Sequence, residues 1–353
     1  MRLSKLFTFL AVAVFTAACF LLAVPTAPAM PVTLASAASL HDLGLLSFGF
    51  AGLVINKANL EEIFRNIKTS FHKAFDAAPS QWEKIAMLVP STSSENNYKW
   101  LSNFPKMRRW VGAKFVKSLE AFKYTIVNDD WEATIEIDRN DIEDDNLGII
   151  GPQAASAGFS AKQLPDEIVG ELVNGAFANP CFDGQFFCDT DHPVAGASVS
   201  NKLTAALSIT TLAAAQASLG AARTAMRLFK DDEGRPLGAT PNVLMVGPAL
   251  EDTARALLTN DRLEDGKPNP YKNSMELVVN PWITSQTAWF VLDTTKAIKP
   301  FIYQERKKPV LVSMVDPNSP TVFNLRKFLY SAEARAAGGY GFWQLCVGST
   351  GAG

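Results

Sequence analysis

The sequence predicts an α+β fold. Three observations point there: a clean strand-like alternation in "WEATIEID", amphipathic helical stretches on either side of it, and a succession of short strand-like runs that dominates the chain beyond residue 240. At 353 residues the chain is long enough for about two domains with full cores, and 48% hydrophobic with 19% charged residues is the composition of a globular protein. A formal net charge of -2 offers no bulk attraction to nucleic acid or to anionic membranes, so any such binding must be local. Four cysteines, at 19, 181, 188 and 346, are too few and too scattered for a disulfide framework, and a reducing compartment is the simpler reading.

The N-terminus speaks against that compartment. Arg2 and Lys5 precede an apolar run from Leu6 to Val24, followed by Pro25 and "TAPA". Alone, this reads as a secretory signal with a cut after Ala29, or as a signal anchor at the short limit for a membrane span. Translation from Met30, with residues 1–29 an over-extended frame, is the third reading.

Next comes "NLEEIFRNIKTSFHKAF", where Leu60, Phe64, Ile67, Phe71 and Phe75 recur at helical spacing, with Asn59 as N-cap and Glu61 and Glu62 in the first turn. His72 reads as a solvated helix residue, without a ligand partner at helical spacing. From Tyr98 to Val127 aromatics and cations interleave, and Pro105 and Gly112 favour an extended, two-stranded excursion. Lys106, Arg108, Arg109, Lys114 and Lys117 with Trp100, Phe104 and Trp110 read as a projecting hairpin that docks on another protein, with a groove for single-stranded nucleic acid as the alternative. The strand "WEATIEID" puts Trp131, Ala133, Ile135 and Ile137 on one face and runs into the carboxylates Asp138, Asp141, Glu143, Asp144 and Asp145. These fail the calcium-loop pattern, which needs glycine and glutamate where Glu143 and Ile149 stand, and read as a solvated acidic turn that caps the next helix.

Two helical pieces follow, divided by Pro165, the second stopping near Asn179-Pro180. Further on lie an Ala-rich helix over "SITTLAAAQASLGAARTAMRLFK", a strand, Gly-Pro turn and helix over "NVLMVGPALEDTARALL", and strand-like runs at "MELVVN", "AWFVLD", "PFIYQE" and "PVLVSMV". The Gly-Pro turn has one glycine and no lysine, which excludes a P-loop, and no Gly-x-Gly-x-x-Gly fingerprint occurs there.

The stretch "NPCFDGQFFCDTDHP", residues 179–193, holds the densest chemistry. Zinc sites arrive as close ligand pairs, whereas here the cysteines are seven apart and a second cluster is missing. The expectation is a structural loop, with a Cys181–Cys188 disulfide or a metal or catalytic site involving His192 as alternatives, and "His-Pro" forming a turn. Neither a catalytic residue, nor a metal ligand, nor a cofactor is assigned.

The order of segments "APSQWEKIAMLVPSTSSENNYKWL", "FPKMRRWVG", "RNDIEDDNLGI", "QLPDEIVGELVNGAF", "NPCFDGQFFCDTDHPV", "FKDDEGRPLG", "KPFIYQERKKP" and "RAAGGYGFWQL" resembles the major head subunits of Mu-like phages over about residues 31–347. The resemblance implies the Hong Kong 97-type capsid fold: an N-terminal arm over 31–95, an E-loop hairpin over 96–135, a peripheral domain over 136–204 with a long spine helix at 145–178, an axial domain over 205–295, and a return to the peripheral domain over 296–353. It implies a major capsid protein and no enzyme, which self-assembles as hexamers and pentamers into an icosahedral shell around double-stranded DNA. Scaffold or protease and portal proteins would be partners, no membrane would be involved, and the location would be the virion, assembled in the host bacterial cytoplasm. "MPVTLASAAS" resembles a normal family start, which turns the expectation for residues 1–29 to the over-extended frame. By the same resemblance an E-loop lies across the next subunit, so Lys106, Arg108, Arg109, Lys114 and Lys117 would face Asp138, Asp141, Glu143, Asp144 and Asp145 between chains. The rival classes are a secreted disulfide-bonded or metal-binding enzyme and an encapsulin-like nanocompartment shell.

Overall fold

Helix α1 (Lys57–Ala77) opens the part of the chain that the structure, a computed structural model, describes: residues 56–102, 124–143, 150–231, 234–316 and 318–352. Its cap is Asn56 rather than Asn59. Asn56 is extended and accepts the Asn59 N–H at 2.8 Å, the geometry an N-cap side chain needs, so the helix starts one turn earlier and Glu61 and Glu62 fall beyond its first turn. Leu60, Ile63, Ile67 and Phe71 form its buried stripe.

The short helix α2 (Trp82–Ile85) leads into β1 (Ala86–Pro90). β2 (Glu95–Asn97) then pairs antiparallel with β3 (Thr125–Val127), Glu95 opposite Val127. This pair would be the base of the extended excursion expected from the sequence, whose cationic part, with Lys106, Arg108, Arg109, Lys114 and Lys117, lies outside the described residues. The base is anchored inside the protein: Tyr98 Oη donates to Gln304 Oε1 at 2.7 Å, and the fully buried Gln304 donates to Asn128 Oδ1 at 2.8 Å. β4 (Asp129–Asp138) keeps its predicted alternation, with Ile137 buried and Glu132, Thr134 and Glu136 exposed. Asp138 caps α3 (Arg139–Glu143) by accepting the Asn140 N–H at 2.8 Å.

Helix α4 (Ile150–Asn174) runs unbroken through Pro165, where the sequence suggested two pieces. A mid-helix proline costs about 3 kcal/mol. Buried Leu164, Ile168, Val169 and Val173 flank it, and each buried aliphatic side chain stabilises by roughly 1.5–3 kcal/mol, so packing outweighs the missing hydrogen bond. The helix ends at Asn174, short of the expected Asn179, because Asn174 is held by another segment: its side chain donates to Trp282 O at 2.8 Å and accepts from Thr284 N at 3.0 Å.

"His-Pro" opens a strand, not a turn: β5 (His192–Val194) pairs with β6 (Ala197–Val199), and the reversal falls at Ala195 and Gly196, whose φ values of 49° and 80° suit a two-residue hairpin loop. After β7 (Lys202–Leu203), the Ala-rich region forms α5 (Leu212–Ala215) and α6 (Ala221–Leu228), joined by a π turn at Gln216–Gly220. β8 (Val243–Val246), α7 (Glu251–Thr259), β9 (Glu276–Val279) and β10 (Trp289–Leu292) follow at the predicted places. The two runs "PFIYQE" and "PVLVSMV" are a single strand, β11 (Phe301–Met314), because the sheet takes Pro309 at a register shift between Lys307 and Val310, where a missing N–H breaks no ladder bond. α8 (Pro320–Leu325), β12 (Lys327–Tyr340) and β13 (Cys346–Ser349) complete the described chain.

Two main sheets result. One has the order β1-β11-β12-β4, with β1 parallel to β11 and the rest antiparallel; the other has the order β7-β13-β10-β8-β9. Helix α4 serves two hydrophobic clusters. Ile150, Ala154 and Ala157 join Leu60, Phe71, Phe328 and Tyr330, while Leu164 to Val173 join the larger core around Tyr303, Trp289 and Trp343. Mid-helix Asp166 caps α2 from outside, accepting Gln81 N and Trp82 N at 2.8 Å and Ser80 Oγ at 2.6 Å. Against α1 the helix comes so close that a Cβ on Gly158 would lie 2.3 Å from Phe71 O, whereas Gly151 has open space around it. Gly158→Ala is therefore expected to destabilise the subunit by about 1–3 kcal/mol, and Gly151→Ala to stabilise it by about 0.5 kcal/mol. Urea midpoints at unchanged slope measure both; equal effects at the two positions would contradict the close approach.

Candidate functional site

The residues between α4 and β7 hold the only cluster of metal-capable side chains found among the described residues: Cys181, Asp183 and His192, with ligand atoms within 4.8 Å of one another. The local fold brings them together. Residues 181–185 close a tight hairpin, with Cys181 N–H donating to Gln185 O at 2.7 Å and Gly184, at φ 86°, donating to Cys181 O at 3.2 Å. The same frame recurs at Asp231–Arg235 and Leu263–Lys267, each with a glycine at positive φ in fourth place and a bridge to a proline-bearing flank. Only the first of the three carries the cysteine and receives the histidine.

His192 is fully buried, its ring stacked on Trp343 at a centroid distance of 3.9 Å. Nδ1 lies 2.8 Å from Asp183 Oδ2, and Nε2 lies 3.2 Å from Asn201 Oδ1. The Asn201 amide has one possible orientation, since Oδ1 accepts the Asp189 N–H at 2.8 Å and Nδ2 donates to Phe187 O at 2.8 Å and Cys346 O at 3.2 Å. Both ring nitrogens therefore face acceptor oxygens. Cys181 Sγ donates to Asp183 Oδ1 at 3.0 Å. Burial alone would raise the Asp183 carboxyl, but the hydrogen bonds from His192 and Cys181 outweigh it and hold it below its ordinary value. Burial, with the Asp183 charge second, pushes the Cys181 thiol far up. A protonated thiol in the core is a poor nucleophile. The arrangement is a self-satisfied polar network that ties the loop to β13.

The cysteines do not pair as the sequence alternative had it. Cys181, Cys188 and Cys346 are free and buried, and Cys188 faces Cys346, not Cys181. Cys181 is hydrogen-bonded to Asp183 instead. Of the expected contact residues, Asp138, Asp141 and Glu143 are brought together on α3 and its cap. Asp144 and Asp145, like the five cations, lie outside the described residues. Sequence reasoning missed Asn201, Trp343 and Cys346, which no local motif announces. It also missed an apolar tip on α8, where Phe323 is 84% and Leu325 62% exposed, near half-exposed Met314.

Because the folded Asp183 carboxyl sits below its unfolded value, its contribution is complete above about pH 4 and fades as pH falls through the folded value. Asp183→Asn should accordingly cost about 2–3 kcal/mol at neutral pH, with the gap to the parent chain narrowing below about pH 4. Denaturant unfolding across pH measures it; a gap that does not change with pH would contradict the charged network.

Comparison with known proteins fits this architecture. The family model of the Mu-like prophage major head subunit gpT matches residues 60–213, 204–283 and 284–352. The chain is 31% identical over 295 residues to the major capsid protein of Escherichia phage Mu, covering 84% of this chain and 74% of that one, and 30% identical to the Mu-like prophage FluMu major head subunit of Haemophilus influenzae, covering 81% and 71%. Among solved structures it is similar to the procapsid of bacteriophage JBD30, with a TM-score of 0.52, 30% identity, and coverage of 84% of this chain and 76% of that chain. A virus-like particle from Pyrococcus furiosus shares the fold alone, at 12% identity and a TM-score of 0.50. The two-sheet subunit with its long helix has the Hong Kong 97-type capsid fold, and the chain belongs to the family of Mu-like prophage major head subunits.

Proposed function

We propose that copies of this chain associate as hexamers and pentamers into an icosahedral phage head that encloses double-stranded DNA, in a structural and non-catalytic role. Assembly takes place in the bacterial cytoplasm, with scaffold or protease and portal proteins as partners and without a membrane. Among the described residues, no helix is long and apolar enough to cross a membrane. The arm, E-loop, peripheral and axial divisions are the working frame of this reading.

The observation that carries it is the β11–β12 ribbon. Two paired strands of 14 residues each lead to α8, where Phe323 and Leu325 stand in water. Exposed apolar side chains on a short helix at the end of a paired ribbon mark a surface made for a partner, and in a head subunit that partner is another copy. Phe323→Ser with Leu325→Ser should leave a folded chain that yields far fewer particles in negative-stain electron microscopy. Unchanged particle yield would count against the tip as a contact.

The cationic stretch, read from the sequence as a projecting hairpin, would make a second contact in the same shell. Lys106, Arg108, Arg109, Lys114 and Lys117 on one copy would meet Asp138, Asp141, Glu143, Asp144 and Asp145 on the next. A single exposed pair contributes only about 0–1 kcal/mol, but a closed shell repeats it in every subunit. Arg108→Glu with Arg109→Glu is expected to give a soluble, folded subunit that fails to assemble, and Asp144→Lys with Asp145→Lys in the same chain to restore particles in part. Normal assembly of the arginine variant, scored by sedimentation and microscopy, would remove this contact from the proposal.

A further inference from the structure

We propose that Cys188 and Cys346 form a latent disulfide site, a cross-link that closes when the protein leaves reducing conditions and joins the segment after α4 to strand β13. The two sulfurs lie 4.0 Å apart in the core, 158 positions apart in sequence. Each is held by its backbone. The Cys188 N–H donates to Ala176 O at 2.7 Å, in the turn that ends α4, and Cys346 sits in the ladder opposite Leu292 of β10. Disulfide formation requires the sulfurs to close from 4.0 Å to about 2.05 Å, a movement of about 2 Å shared by two short side chains. Beside them, Gly348 leaves the room a side chain would fill: a Cβ there would lie 2.7 Å from Cys188 Sγ.

Cys181 is not a competitor for this bond. Its thiol is committed to Asp183 at 3.0 Å. Burial also raises the Cys346 thiol, so the pair reacts slowly and stays reduced during synthesis in a reducing cytoplasm. The oxidant is a small peroxide. One thiol, as thiolate, attacks a peroxide oxygen, breaking the O–O bond and becoming a sulfenic acid with release of water; the second thiol then attacks that sulfur and expels the hydroxyl as a second water. Two thiols lose two hydrogens and two electrons, and one hydrogen peroxide becomes two waters. A loop of this length loses more chain entropy on closure than a short one, so the cross-link stabilises the folded subunit.

The test is prolonged exposure of the purified full-length chain to hydrogen peroxide, followed by peptide mapping under non-reducing conditions after denaturation in an alkylating agent. The expected result is one cross-linked peptide joining Cys188 to Cys346 within a single chain, loss of both residues from the alkylated pool, and a rise in the unfolding midpoint that dithiothreitol reverses. Cys181→Ser should retain the cross-link, while Cys188→Ser and Cys346→Ser should lose it. The proposal is overturned if both thiols of the treated parent chain remain alkylatable, if the bridge joins Cys181 to Cys188, if the link forms between chains, or if only sulfinic acid accumulates. The parent chain alone decides between these outcomes, so poor folding of a serine variant does not obscure them.

Discussion

The rest of the subunit depends on how closely helix α4 can approach its neighbours. At Gly158 the backbone of α1 comes within the space that any side chain would occupy. From Leu164, just before Pro165, the helix changes partners and enters the larger core. A helix shared by two cores cannot shift toward one without opening the other, since interiors are packed as densely as molecular crystals. The hydrogen bonds of Asp166 to the 80–82 turn and of Asn174 to the 282–284 loop fix its rotation and its end, so both sheets take their positions from one rod.

The buried network around His192 fixes the other side. A loop with three aspartates and a histidine would ordinarily stay in water, because burying such groups without partners is costly. Here each inward polar atom meets a fixed partner, and the Asn201 amide reaches the carbonyls of Phe187 and Cys346 at once. Such a network works as a key that accepts one arrangement of the loop against β13, since any other leaves a charge without its partner.

Much of this was legible in the sequence. The alternation of β4, the strand, Gly-Pro and helix order from β8 to α7, and the family resemblance stood in contiguous residues and reappear at the same places. What was not legible came from distant partners. Pro165 and Pro309 read locally as breaks, and both are tolerated because long-range packing and a bulge absorb them. The chemistry of 179–193 was recognised as a cluster, but its closing members, Asn201, Trp343 and Cys346, are set by topology and not by spacing. The structural loop is the first reading of this stretch, and the Cys181–Cys188 disulfide weighed beside it rests only on proximity along the chain; both thiols are free. Phe323 and Leu325 carried no periodic signal in so short a helix, and only their exposure singles them out.

The ribbon of β11 and β12 has a mechanical consequence. With 14 residues at about 3.3 Å each, it is roughly 46 Å long and forms the middle of the β1-β11-β12-β4 sheet. Its register breaks sit between Glu305 and Val310, in the middle of β11. Across that stretch β12 stays in unbroken register with β4, from Ala336 opposite Asp129 to Lys327 opposite Asp138, so the far end is held to the sheet. A closed container made from one kind of brick must seat that brick in surroundings of unequal curvature. A ribbon backed in this way carries its tip as part of the body, so differences in curvature fall on the contacts the tip makes and not on the ribbon.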